Sequence, residues 1–188
     1  MTCPDCFVPS ITDYIGYYED CMSENVCDEI MSHDWKMQKS TYSNDVGKTK
    51  TSDERVKMNE VWIEQSMPFY KSFKTTFLKV ISKYSTDHKE FSCQHHTDFR
   101  LNKYSEGGFM SKHCDNIHHS HGQEYGFPQA SALLFLSDDY EGGEFVVAEE
   151  IYITKKGSGI IFPSNFMYPH EVKPVTKGTR WSALTWLM

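Results

Sequence analysis

The sequence predicts an α+β fold that is mainly β, with two helices laid over a β-sandwich or jelly roll. Three observations point to it. Apolar residues recur at helical spacing in two blocks of the first half, and seven short apolar runs bounded by turn residues fill the second. No Pro/Gly/Ser linker, internal repeat or low-complexity tract separates the halves. The 188 residues are therefore read as a single domain, with 1–90 as helical support and edge strands and 91–188 as the β core.

Residues 13 to 18 fit a short strand. Ser23 then stands where an N-cap belongs, with acidic residues in the following turns and Val26, Ile30 and Met31 at helical spacing, so a helix is expected to lie against a sheet. From 39 to 54 the chain is polar, with almost nothing to bury; an exposed loop is expected, placed to serve as a lid if it lies over a site. A strand follows over 55 to 63, with Val56, Met58, Glu60 and Trp62 on one phase and Val61 and Ile63 on the other. Pro68 opens a long amphipathic helix whose stripe is Phe69, Phe73, Phe77, Leu78, Val80, Ile81 and Tyr84. That stripe is core. The seven short strands are then expected at 99–104, 131–136, 144–147, 151–154, 159–162, 170–172 and 180–186.

Composition narrows the function. The chain carries a net charge of −7 with scattered Lys and Arg, which argues against nucleic acid as a partner. It has no apolar run of about 18 residues to span a membrane, and Met1 to Cys6 does not resemble a secretory signal. The six cysteines, at 3, 6, 21, 27, 93 and 114, are too dispersed for a disulfide framework, so reduced thiols and a cytoplasmic location are expected. Cys3 and Cys6 lack the second pair that a structural zinc site needs and are assigned to an unremarkable N-terminus.

The chemistry centres on Lys112-His113-Cys114-Asp115-Asn116. In an extended segment alternate side chains share a face, so His113 and Asp115 point together and Cys114 points away. His170 is the distant histidine that completes a metal triad. Two imidazoles and one carboxylate suit non-haem Fe(II) with open coordination positions, and the same set also suits catalytic zinc. His118, His119 and His121, among Ser, Gly and Gln, are read as solvated histidines rather than a second metal site.

The flanks carry a resemblance. The run 101–109 (Leu-Asn-Lys-Tyr-Ser-Glu-Gly-Gly-Phe) leads into the His-x-Asp step; Gly142-Gly143-Glu144-Phe145 and the run 157–163 (Gly-Ser-Gly-Ile-Ile-Phe-Pro) lead to Pro169-His170-Glu171-Val172; and Gly178-Thr179-Arg180-Trp181-Ser182 closes the set. In this order the second half resembles the 2-oxoglutarate and Fe(II)-dependent dioxygenases, in their prolyl 4-hydroxylase-like branch.

The resemblance implies a double-stranded β-helix over 91–188, with Fe(II) held by His113, Asp115 and His170. It also implies 2-oxoglutarate as co-substrate, ascorbate as a further candidate cofactor, and hydroxylation of a C–H bond with O2. Arg180 is implied as the anchor of the far carboxylate, since a guanidinium grips a carboxylate through two parallel hydrogen bonds. Tyr104 is implied as a second contact to it. Phe135 and Leu136 fall where some relatives present another tyrosine, and Trp186 matches an aromatic near the site. An extended run from 170 to 180 would span about 30 Å at ~3.3 Å per residue, so a hairpin through Pro174 and Lys177-Gly178 is expected to return Arg180 beside the metal strand.

The substrate implied is a prolyl residue in a peptide or protein, with a free amino acid or other small molecule as the alternative. Two other classes stay open, a zinc hydrolase or isomerase and a non-catalytic binding module. Arg180 speaks against the first, and the intact triad against the second.

Overall fold

The structure, a computed structural model, describes residues 9–43, 49–50, 54–115 and 127–188. Cys3, Cys6, His118, His119 and His121 lie outside the described residues, as do 44–48 and 51–53 of the polar stretch. A 3-10 turn over Ile11–Tyr14 precedes β1 (Gly16–Tyr18) and α1 (Glu24–Ser32). Next come β2 (Gln38–Lys39), β3 (Tyr42–Ser43), β4 (Thr49–Lys50), β5 (Val56–Lys57), β6 (Asn59–Ile63) and α2 (Tyr70–Asp87). The remainder is β7 (Phe99–Tyr104), β8 (Phe109–His113), β9 (Ala130–Phe135), β10 (Glu141–Gly142), β11 (Phe145–Val147), β12 (Glu150–Tyr152), β13 (Gly159–Pro163), β14 (His170–Val172), β15 (Val175–Lys177) and β16 (Arg180–Leu187).

The strands form a larger antiparallel sheet in the order β1-β13-β9-β16-β7-β6-β2 and a smaller one in the order β12-β11-β14-β8-β5. Strand alternation gives the larger sheet two different faces. Phe99 and Leu101 of β7 join Phe73, Phe77 and Val80 of α2, and Cys27 and Ile30 of α1, in one buried cluster. Tyr104, on the opposite phase, joins Phe135, Leu184 and Trp186 of the same sheet and Phe145, Val147 and Val172 of the smaller one. The larger sheet is thus a middle layer, with helices on one face and the smaller sheet on the other. Phe77 stacks on Phe99 with ring centres 5.1 Å apart, which fixes α2 over β7. Among the described residues no helix is long and apolar enough to cross a membrane.

The structure departs from the expected elements in several places. The polar stretch is not one loop, because β2 pairs with β6 at the edge of the larger sheet and β3 pairs with β4. Ladder hydrogen bonds need no apolar side chains, so such strands leave no hydrophobic pattern to read. Short pairing also accounts for the unexpected β10 and β15, which pair with one another. Ser23 precedes α1 in extended conformation, but its hydroxyl makes no capping bond. The second helix begins at Tyr70 rather than Pro68, after Phe69 takes a left-handed backbone with φ 62°. Leu78 faces solvent at 49% exposure, while Thr76 takes a buried place on the inner face. Residues 11–14 turn as a 3-10 helix under a Ser10–Asp13 capping box, which leaves only 16–18 as strand.

The expected hairpin after His170 is absent. β14 belongs to the smaller sheet and β16 to the larger, with β15 between them paired to β10. The chain therefore crosses the sandwich. Gly142 holds φ +70°, and a Cβ there would lie 2.4 Å from the Pro174 carbonyl oxygen, so the crossing needs glycine at that point.

Candidate active site

His113 ends β8 and pairs in register with His170 at the start of β14, so the ladder itself sets the two imidazoles side by side, ring centres 4.3 Å apart. Asp115 lies just past the strand end. His113 Nε2 is 3.5 Å from Asp115 Oδ1, and His170 Nε2 is 3.4 Å from Asp115 Oδ2. The three ligand atoms lie within 4.8 Å of one another.

Backbone carbonyls aim the rings. His113 Nδ1 is 2.8 Å from the Ser111 carbonyl oxygen and His170 Nδ1 is 3.2 Å from that of Tyr168. A carbonyl only accepts, so each Nδ1 carries a proton, and Nε2 is the ring atom turned towards Asp115. Burial, followed by the charge of His170, lowers the His113 pKa. Burial alone would raise the Asp115 carboxyl, but His170 and the hydrogen bonds from both rings outweigh it and hold the group well below the usual carboxylate range. A neutral imidazole and an ionised carboxylate are the states that bind a divalent metal.

Sequence reasoning passed over Ser131. Its hydroxyl donates to Asp115 Oδ2 at 2.5 Å from across the sandwich, and Ser164 Oγ lies 2.8 Å behind it. Because the Ser131 proton is engaged with Asp115, Ser164 donates to Ser131. Replacing Ser131 with alanine frees Asp115 to rotate; a roughly tenfold loss of Fe(II) affinity is expected in an anaerobic titration, with the fold retained. Fe(II) affinity unchanged in the variant would show that the hydroxyl does not orient the carboxylate. The only signal of Ser131 in the sequence is its phase in β9, which it shares with Leu133 and Phe135.

Arg180 and Tyr104 are cross-strand partners in β16 and β7. Arg180 is 0% exposed, and its guanidinium carbon lies 5.2 Å from the Tyr104 ring centre and 5.5 Å from that of Phe135. Phe135, unable to donate a hydrogen bond, stacks on the cation instead. Nη1 of Arg180 reaches Ser182 Oγ at 3.2 Å, while Nε and Nη2 are buried with no hydrogen-bond partner among the described residues. Gly143 makes room for this side chain, since a Cβ there would lie 3.1 Å from Arg180 Cδ. Burial raises the Tyr104 pKa, only partly offset by Arg180, so its phenol is neutral. The cleft over the triad is lined by His113, Asp115, His170 and Tyr104, and Arg180 lies behind that lining.

A buried cation with two unpartnered donors is costly unless an anion completes it. The donor set at the triad fits a divalent ion, and the orphaned guanidinium fits a carboxylate. Residues 99–188 match the 2OG-Fe(II) oxygenase superfamily. Over these residues the chain is similar to that superfamily.

Named relatives match parts of the chain. A PKHD-type hydroxylase from Rippkaea orientalis is 37% identical over 93 residues, covering 46% of this chain and 40% of that protein. Human prolyl 3-hydroxylase 2 is 44% identical over 69 residues, 33% of this chain and 10% of that protein. The chain thus spans about 40% of the length of the first of these relatives. Among solved structures, a prolyl hydroxylase from Trichoplax adhaerens, in complex with a hypoxia inducible factor peptide fragment, superposes with a TM-score of 0.70 at 14% identity, covering 94% of this chain and 84% of that one. A viral collagen prolyl hydroxylase from Paramecium Bursaria Chlorella virus-1 gives 0.66 at 15% identity, covering 93% and 95%. These two share the oxygenase fold with this chain.

Proposed function

We propose that this chain is an Fe(II)- and 2-oxoglutarate-dependent dioxygenase that hydroxylates a C–H bond of a prolyl residue in a peptide. The observation that carries the reading is the unpartnered Arg180 guanidinium, buried in the same sandwich interior as a two-histidine, one-carboxylate cluster. A zinc hydrolase on this scaffold has no use for that cation. Relatives named as prolyl hydroxylases, in sequence and in structure, support the choice of proline. The sandwich is read as a double-stranded β-helix, with α1 and α2 as its support, 91–188 as the dioxygenase core and 1–188 as one domain.

His113, Asp115 and His170 would hold the ferrous ion. Held there, the ion would activate O2, the oxidant for C–H hydroxylation, with one oxygen atom going to the substrate and the other to succinate as 2-oxoglutarate loses carbon dioxide. Arg180 would grip the far carboxylate by its Nε and Nη2, and the neutral Tyr104 phenol would donate to the same group. Arg180 does not itself line the cleft and packs on the ring of Tyr104, which does, so the co-substrate would reach the guanidinium past that side chain. The apolar walls, Leu133, Phe145 and Val172, exclude water from the reacting centre.

The test supplies Fe(II), 2-oxoglutarate and ascorbate, offers proline-rich peptides and a metabolite panel in separate reactions, and follows a 16 Da mass gain. Oxygen gained by peptides at proline is the expected result. Oxygen gained by metabolites alone would remove the peptide substrate while leaving the dioxygenase.

A further inference from the structure

The cleft wall holds a second buried polar group. Arg100 and Asn102 share the inner face of β7 with Tyr104, and both line the cleft with the triad. Glu60, on β6, is the cross-strand partner of Asn102 and supports Arg100 from behind: its Oε2 is 3.7 Å from Arg100 Nη1 and accepts a hydrogen bond from Ser40 at 2.6 Å. The Arg100 guanidinium carbon lies 5.1 Å from the Trp186 ring centre and 5.9 Å from that of Trp62, so the two indoles hold it in place. Its side chain is 11% exposed and that of Glu60 is 7%. Arg100 Nε and the Asn102 amide oxygen are buried without a hydrogen-bond partner among the described residues. A cation fixed by two rings and one carboxylate, with a donor left open on a cleft wall, is built to receive an acceptor.

Charge decides which acceptor. In the proposed centre, the ferrous ion and Arg180 offset Asp115 and the two carboxylates of 2-oxoglutarate, Glu60 offsets Arg100, and Lys173, 2.8 Å away, offsets the cleft-lining Glu171. The filled cleft is then neutral, and a substrate carboxylate entering it would be buried without a counter-charge. A peptide carbonyl accepts the same hydrogen bond without bringing charge.

We propose that Arg100, poised by Glu60 and flanked by Asn102, is the substrate-orienting residue of this site and that it selects a neutral peptide carbonyl over a free carboxylate. This rests on the dioxygenase reading above. It adds a residue that discriminates an internal prolyl group from a terminal or free one.

The test uses pairs of peptides that differ only in ending as a prolyl amide or a prolyl carboxylate, with 16 Da mass gain followed for each. Wild-type protein is expected to favour the amide by about tenfold or more in kcat/KM. Glu60→Gln leaves Arg100 uncompensated, so the preference should move about tenfold towards the acid, a change that a merely structural role for Glu60 would not produce. Arg100→Lys keeps the charge but loses the Nε donor, and should raise KM for the amide about tenfold while leaving 2-oxoglutarate affinity unchanged. That affinity is read, without turnover, from the absorbance of the anaerobic Fe(II)–2-oxoglutarate complex. Equal use of the two peptides by the wild type would overturn the inference, as would a parallel loss of 2-oxoglutarate affinity in Arg100→Lys, which would assign the residue to the co-substrate. If no peptide of either kind gained oxygen while a metabolite did, the prolyl reading itself would fall and this inference with it. Should Arg100→Lys not fold, the wild-type and Glu60→Gln comparisons still decide.

Discussion

Alanine in place of His170 is expected to abolish the visible absorbance that anaerobic Fe(II) and 2-oxoglutarate together give with the wild-type protein, and turnover with it. The ring sits 4.9 Å from Phe162 and 4.3 Å from His113, and it is 6% exposed, so no other described side chain is placed to substitute for it. Losing a metal ligand should lower Fe(II) affinity by more than the roughly 10–100-fold that follows from losing a residue merely hydrogen-bonded to a ligand. A glutamine at 170 serves as a second variant, filling more of the space if the alanine protein is too unstable to assay. Full absorbance in either protein would remove His170 from the metal site.

Arg180→Met should separate stability from binding. Methionine removes a buried cation that has no carboxylate beside it among the described residues, so the protein without co-substrate is expected to gain about 1–3 kcal/mol, a few degrees in Tm. The same change removes two charge-assisted hydrogen bonds, each worth about 1.5–3 kcal/mol, and 2-oxoglutarate affinity should fall by about 100-fold or more. Added 2-oxoglutarate should then raise the Tm of the wild type but not of the variant. Tyr104→Phe loses one neutral donor and should cost only about fivefold. A variant destabilised by Arg180→Met with its 2-oxoglutarate affinity intact would show that the guanidinium is a structural element and not an anchor.

The inner-face residues were legible because strands alternate. The strand expected over 55 to 63 is split: 56–57 form β5 in the smaller sheet, while over 59–63 the two phases are the two faces of β6, with Glu60 and Trp62 towards the cleft and Val61 and Ile63 towards the helices. His113 and His170 could be named from motif spacing, and the structure pairs them across β8 and β14. What the sequence could not show is which sheet each strand joins. Pro174 and Lys177-Gly178 predict a reversal, yet the same turn chemistry serves a crossing between sheets, and only long-range pairing distinguishes the two. Ser131 was hidden for a related reason. Its hydroxyl matters through contact with a residue 16 positions away, and nothing local marks it. Arg100 and Asn102 stand four and two residues before Tyr104 on its own phase, but a cation in a strand suggests a solvated edge until a neighbouring sheet is known to cover it.

His170 and Arg180 are ten residues apart in the chain and sit on opposite sheets. In the proposed centre one small dicarboxylate therefore acts as a tie-bar, fastened to the smaller sheet through the metal and to the larger through the guanidinium. Its affinity becomes a gauge of the gap between the sheets. By thermodynamic reciprocity, whatever widens that gap weakens the co-substrate, and the co-substrate in turn draws the sheets together. The short crossing over 173–179, pinned by β10 and β15, then works as a spacer. A substitution there, remote from the reacting atoms, would be felt as lost co-substrate affinity before it was felt as lost stability.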